Sequence, residues 1–164
     1  MHKSEIQYRE NVLPADLQNV HDIVMSSGFF SRDEVNIAVE LVTERLQKGL
    51  ESGYYFLFAE QDGRTIGYSC FGPIPATRYS FDLYWIAVHD DLRGKGIGRL
   101  ILEASEKAIR NLGGQRVYIE TSGRKQYQPT RAFYLSCGYI EEAHLEDFYG
   151  PDDAKYFYVR DLNG

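Results

Sequence analysis

Cysteine is nearly absent from this chain: two occur in 164 residues, Cys70 and Cys137, and neither has a neighbour at metal-ligand or C-x-x-C spacing. That excludes a disulfide scaffold, a zinc module and a dithiol redox centre, and leaves buried reduced thiols as the expected state. Long apolar runs are missing too. The longest, Tyr54 to Ala59, is far too short to cross a bilayer, and the N-terminal MHKSEIQYREN has no apolar stretch suited to a signal peptide. Basic residues are in deficit, with 18 against 24 acidic ones and a net charge of −6. Affinity for a nucleic-acid backbone comes largely from lysine and arginine, so such a partner is not expected. No internal repeat, low-complexity tract or interdomain linker interrupts the chain. The length suits one domain, 1–164, with a core that needs no covalent staples, and the expected setting is the cytoplasm, away from membranes.

What the chain does have is a strongly patterned middle, Phe81 to Gly114. Asp82 to Val88 are mostly aromatic and β-branched, which predicts a strand. A polar turn, His89 to Leu92, leads into Arg93-Gly94-Lys95-Gly96-Ile97-Gly98. Ile97, Ile101, Ala104, Ala108 and Leu112 then recur at spacings of three and four, the period of a buried helix face, while Arg99, Glu103, Glu106 and Arg110 fall on the face expected to meet solvent. Gly113 and Gly114 stop the helix.

A strand, a glycine-rich turn and a helix make an anion site. First-turn N–H groups lack helical partners and the peptide dipoles leave partial positive charge there. Glycines let the backbone approach a phosphate, and Arg93, Lys95 and Arg99 add charge, Arg93 in a fork that suits two phosphate oxygens. A Walker A loop would need Ser or Thr after its lysine, and none follows Gly98; a Rossmann turn would need G-x-G-x-x-G, whereas these glycines alternate.

Around this stretch, Ser4 to Val12 is predicted as a strand. Pro14 opens a helix with Leu17, Val20 and Val24 on one face and Gly28 at its end. Ser31 and Glu34 form a capping box for a second helix reaching about Lys48, with Val35, Ala38, Val39, Val42 and Leu46 on its apolar face. Tyr54 to Ala59 and Thr65 to Phe71 read as strands joined through Asp62-Gly63, a hairpin signal. Gly72 to Ser80 is a surface loop. Arg116 to Thr121 is a short buried strand, and the strand–helix–strand order implies a right-handed parallel crossover beside the Asp82 strand. Tyr139 to Leu145 and Lys155 to Arg160 make an antiparallel pair, with Glu146 to Asp153 as an acidic, aromatic loop between them.

Arg93-x-x-Gly96-x-Gly98 directly after a strand resembles the pyrophosphate loop of the GNAT superfamily of N-acetyltransferases. About forty residues on, Thr130-Arg131-Ala132-Phe133-Tyr134-Leu135-Ser136-Cys137-Gly138-Tyr139 resembles the family's second signature, a helix with a tyrosine four residues before Gly-Phe/Tyr. The resemblance covers about Asp82 to Tyr139 by motif and the N-terminal third by element order. It implies an α/β (α+β) fold: a mixed, mostly antiparallel sheet of six to seven strands, with a central parallel, splayed strand pair and flanking helices. It further implies an acyltransferase moving acetyl from acetyl-CoA to a primary amine by direct attack in a ternary complex, without a metal. Ile86, Ala87 and Val88 would pair by backbone with the pantetheine amides, one N–H facing the thioester oxygen, while Arg93, Gly94, Lys95, Gly96, Ile97, Gly98 and Arg99 hold the diphosphate.

Tyr134 matches the family's general acid. Asp82, eleven residues before Arg93, stands where histone-acetylating members resemble it in carrying a glutamate, and is the leading base; Glu120 is the runner-up and His89 a weaker candidate. Structural or solvated roles stand beside all of these. Phe29 and Phe30 either line the acceptor site or pack into the core. The chain departs from the family pattern at Tyr127 and Thr130, where asparagine and alanine are usual, with Pro129 between them. Partners implied are acetyl-CoA or CoA and an amine-bearing small molecule or peptide, with a homodimer left open. A non-catalytic CoA-binding sensor and a protein N-terminal or lysine acetyltransferase are the alternatives.

Overall fold

A computed structural model describes residues 5–163. It contains seven strands and four α-helices: β1 (Gln7–Arg9), α1 (Asp16–Ser26), α2 (Arg32–Lys48), β2 (Tyr55–Gln61), β3 (Arg64–Pro73), β4 (Ser80–Val88), α3 (Ile97–Asn111), β5 (Arg116–Ser122), α4 (Gln128–Ser136), β6 (Ile140–Gly150) and β7 (Asp153–Asp161), with short 3₁₀ turns between some of them. The strands follow the hydrogen-bonded order β1-β2-β3-β4-β5-β7-β6. β4 runs parallel to β5, whereas β1 with β2, β2 with β3, β5 with β7 and β6 with β7 are antiparallel. This is the mixed sheet with flanking helices expected from the sequence. The chain divides into two compact units, residues 1–72 with 85–108 and residues 73–84 with 109–164, so that β4 contributes to both.

In the first unit α1 and α2 pack Val20, Ile23, Val24, Val35, Ala38 and Val42 against Phe56, Phe58, Tyr68 and Cys70. Ser31 caps α2 as predicted: the Glu34 N–H donates to its hydroxyl at 3.2 Å, and the Ser31 N–H donates to the Glu34 carboxylate at 3.0 Å. Leu46 faces solvent instead of joining the apolar face. Asp62 and Gly63 both take positive φ, 53° and 75°, which is the twist a two-residue hairpin needs. The first strand is shorter than predicted, Gln7 to Arg9, and the Ser4 end of that prediction lies outside the described residues.

In the second unit the parallel ladder is brief, pairing Ser80, Phe81 and Asp82 with Arg116, Val117 and Tyr118. β5 then continues along β7 as far as Ser122 opposite Lys155. The segment from Glu146 to Asp153 is not the loop expected. β6 runs through it to Gly150, because irregular pairing after Leu145, with Asp147 at φ 54°, absorbs the polar residues and leaves only a tight turn at Pro151 and Asp152.

Helix α3 also departs from its predicted face. Leu102, Ser105 and Ile109 are buried with Ile97, Ile101 and Ala108; Leu112 is exposed; and Glu106, placed on the solvated face by periodicity, is only 2% exposed. The buried stripe is wider than the three-and-four pattern counted from apolar residues alone, since a serine and a glutamate belong to it. Both cysteines are free and buried.

Candidate active site

In the first unit β4 ends at Ile86, Ala87 and Val88. Gly67 on β3 lets the strand come close: a Cβ there would sit 2.9 Å from the Ala87 carbonyl oxygen, 2.7 Å from Ile101 Cδ1 and 3.4 Å from Val88 Cα. The His89 N–H donates to the Ile66 carbonyl at 2.8 Å, fixing the exit of the strand. Gly67→Ala is therefore expected to push the Ala87 peptide outward, because backbone cannot yield as a side-chain tip can. The expected result is a cost of about 1–3 kcal/mol in denaturant unfolding, with weakened CoA binding in calorimetry.

The turn after β4 is anchored from both sides of the chain. The Asp90 N–H donates to Ser26 Oγ at 2.9 Å, and Arg64 pairs with Asp91 at 3.1 Å. His89 pairs with the Asp91 carboxylate at 2.8 Å, so its ring serves the turn. Gly94 and Gly96 both adopt φ 77°, which L side chains rarely take, and a Cβ on either would meet nothing within 4 Å. Open space thus lies over the loop where α3 begins, and first-turn N–H groups there have no helical acceptor. Arg93 is 69% exposed, with a weak 3.3 Å contact to Asp90, and Lys95 and Arg99 are exposed as well. The donors, the clearance and the charge fit a diphosphate.

A cavity of about 480 Å³ in the same unit, bordered by Arg9, Asn19, Asp22, Glu60 and Arg64, includes His89 among its lining but not Asp82, Glu120, Tyr134 or the residues expected to bind the cofactor. Its arginines are already committed, Arg9 to Asp16 and Glu60 and Arg64 to Asp91. Phe30 packs on the first unit's core and lies 5.1 Å from Trp85, with Phe29 edge-on to it at 5.0 Å.

Three of the candidate acid–base residues, Asp82, Glu120 and Tyr134, belong to the second unit. Asp82 is half-buried on β4, and its carboxyl is pushed up to about 6 by loss of solvent and by the Glu120 carboxylate, with Lys155 opposing. Among the described residues the Asp82 carboxylate has no hydrogen-bond or ion-pair partner. Glu120, two residues along β5 from Tyr118, is half-exposed and paired with Lys155 at 2.9 Å. Tyr134 on α4 is buried between Tyr139 and Tyr158, with ring centroids 6.0 and 6.3 Å away. Burial pushes its phenol well above the usual tyrosine range. Its hydroxyl has no hydrogen-bond partner among the described residues. It is not sealed from solvent either; among the described residues the one such orphan is the Tyr68 hydroxyl.

Pro129 occupies the first turn of α4, as the sequence suggests. Arg131, which no motif singled out, ties that helix to the end of β5 by donating to the carbonyls of Ser122 (2.7 Å) and Arg124 (3.0 Å) and stacking over Tyr156 at 5.1 Å. Lys155 was also invisible in the sequence, where it reads as one more residue of a terminal strand. Its flanking aromatics were the only signal.

A family model described as "Acetyltransferase (GNAT) domain" matches residues 52–141, more than half of the chain and both signature stretches. A solved GNAT-family protein from Desulfovibrio desulfuricans is 41% identical, with 96% of this chain and 99% of that one covered at a TM-score of 0.93. The chain belongs to the GNAT acetyltransferase family. It is therefore an acyltransferase enzyme by class. More distant GNAT-like structures share the fold. An aminoglycoside 6'-N-acetyltransferase complexed with coenzyme A superimposes at TM-score 0.74 (16% identity, 96% and 97% covered). The yncA protein of Salmonella typhimurium, solved with acetyl-CoA, does so at 0.73 (20% identity, 98% and 96% covered). No curated protein matches the chain. Among the described residues no helix is long and apolar enough to cross a membrane.

Proposed function

We propose that residues 1–164 act as one N-acetyltransferase domain that moves an acetyl group from acetyl-CoA to a primary amine in a ternary complex. The observation that carries this reading is the open, doubly left-handed glycine turn at the head of α3 with Arg93, Lys95 and Arg99 around it. Coenzyme A and acetyl-CoA in the two distant fold relatives support it. Arg93 to Arg99 would hold the diphosphate, and the backbone of Ile86, Ala87 and Val88 the pantetheine arm, one N–H stabilising charge on the thioester oxygen. The brief parallel ladder supports the arm's placement, since β4 pairs with β5 over three residues only, Ser80 to Asp82.

The thioester supplies an activated acetyl group. An alkylammonium with a pKa of about 10 must lose a proton before it can attack. Asp82, elevated to about 6, is ionised at neutral pH yet basic enough to accept that proton, directly or through water. Tyr134 stays protonated across the working range and gives its proton to the departing thiolate. The amine nitrogen bonds to the acetyl carbon as the carbon–sulfur bond breaks, and CoA leaves as the thiol.

Thiol release from acetyl-CoA, followed with a thiol reagent across a panel of small amines and peptide N-termini or lysines, tests this reading. Acceptor-dependent release is expected. CoA binding without release for any acceptor would instead make the protein a sensor of the cofactor.

A further inference from the structure

Lys155 has an environment that the reaction described above does not use. Its ammonium lies 2.9 Å from Glu120 Oε2, 4.3 Å from the centre of the Phe148 ring and 4.9 Å from that of Phe157, and its side chain is only 13% exposed. Strand registry explains the meeting. Asp82 is level with Tyr118, Glu120 with Phe157, and Ser122 with Lys155, so alternation puts Asp82, Glu120, Phe157 and Lys155 on one face of β4, β5 and β7. Phe148 reaches the ammonium from β6. A cation between two rings and against one carboxylate gains from both the ring quadrupoles and the ion pair.

Two carboxylates on that face compete for one counter-charge, and only Glu120 receives it. Resting on the reading of Asp82 as base, we infer that Lys155 is a positioning residue: gripped by Phe148 and Phe157, it holds Glu120 in an ion pair and leaves Asp82 as the carboxylate that takes the acceptor's proton. Glu120 and Lys155 act on Asp82 with opposite sign. Tyr149 on β6 also feels both of them. Asp153 at the start of β7 is engaged separately by Ser122 and Arg124. Loss of the Lys155 charge would leave Asp82 facing an uncompensated Glu120, and like charges disfavour joint ionisation.

The test reads Asp82 twice: by ¹³C NMR titration of its carboxyl in the unliganded protein, and by the acidic limb of the pH–rate profile. Lys155→Met is expected to move both midpoints up by about one pH unit, and Lys155→Arg to restore them. Glu120→Gln should move the NMR midpoint down, and it carries the test if Lys155→Met does not fold. An Asp82 NMR midpoint that stays at its wild-type value in Lys155→Met, or in Glu120→Gln, overturns the role of Lys155 while leaving Asp82 as base untouched. Midpoints that move by NMR while the rate limb stays fixed overturn Asp82 as the base and the positioning role with it.

Discussion

Tyr134→Phe is expected to fold like the wild type and to lose about 10²- to 10⁴-fold in kcat, the usual worth of a positioned acid. The ring packs against Tyr139 and Tyr158, contacts that phenylalanine keeps. The hydroxyl has no hydrogen-bond partner among the described residues, so its removal breaks no bond and should shift unfolding by less than about 1 kcal/mol. A hydroxyl that contributes nothing to the fold is then available for the reaction. Burial keeps it protonated well above neutral pH, which is the state an acid must start from. The decisive reading is CoA release at saturating acetyl-CoA and acceptor, with the melting temperature measured on the same sample. Unchanged turnover would remove Tyr134 from the mechanism.

Asp82→Asn should cost a similar 10²- to 10⁴-fold in kcat/KM at neutral pH and abolish the acidic limb of the pH–rate profile. In the wild type that limb is expected near pH 6, since the base works only when ionised and protonation below about 6 disables it. Stability should respond with the opposite sign. The folded-state carboxyl titrates above its unfolded value, so the native state binds the extra proton between the two midpoints and stability falls as pH rises through that window. At pH 7 to 8 the folded protein bears the full cost of an ionised, half-buried Asp82, and asparagine removes it. The variant should therefore melt higher than wild type at pH 7.5, with the difference fading toward pH 4. A variant that is inactive but no more stable would mean that the Asp82 carboxylate is not strained by its surroundings. One that keeps wild-type activity would pass the base role elsewhere, with Glu120 next in line.

Local chemistry decided how much of this was legible beforehand. The capping box at Ser31, the Asp62-Gly63 hairpin and the α3 start at Ile97 depend on neighbours within a few residues, and they lie where the sequence predicted. Glu106 and Leu112 do not, because the boundaries of a buried helix face depend on what the fold lays over it. The extension of β6 to Gly150 escaped for a related reason: polar residues such as Glu146 and Asp147 read as loop, yet an irregular ladder tolerates them on a strand that is exposed almost throughout. Tyr134, Asp82 and Glu120 could be singled out from motif offsets and strand ends. Their differing environments could not, since the partner that separates the two carboxylates is Lys155, brought alongside Glu120 by the pairing of β5 with β7. Gly67 likewise looks like an ordinary strand glycine until the Ala87 carbonyl is placed beside it.

The most direct test of the central claim is calorimetric titration of acetyl-CoA into the wild-type protein and into Gly96→Val, which puts a branched side chain at φ 77° in the loop. Stoichiometric uptake by the wild type and at least about tenfold weaker binding by the variant are expected, for loss of roughly 1.4 kcal/mol or more of backbone–phosphate interaction. No uptake by the wild type, or equal affinity in a correctly folded variant, would contradict it.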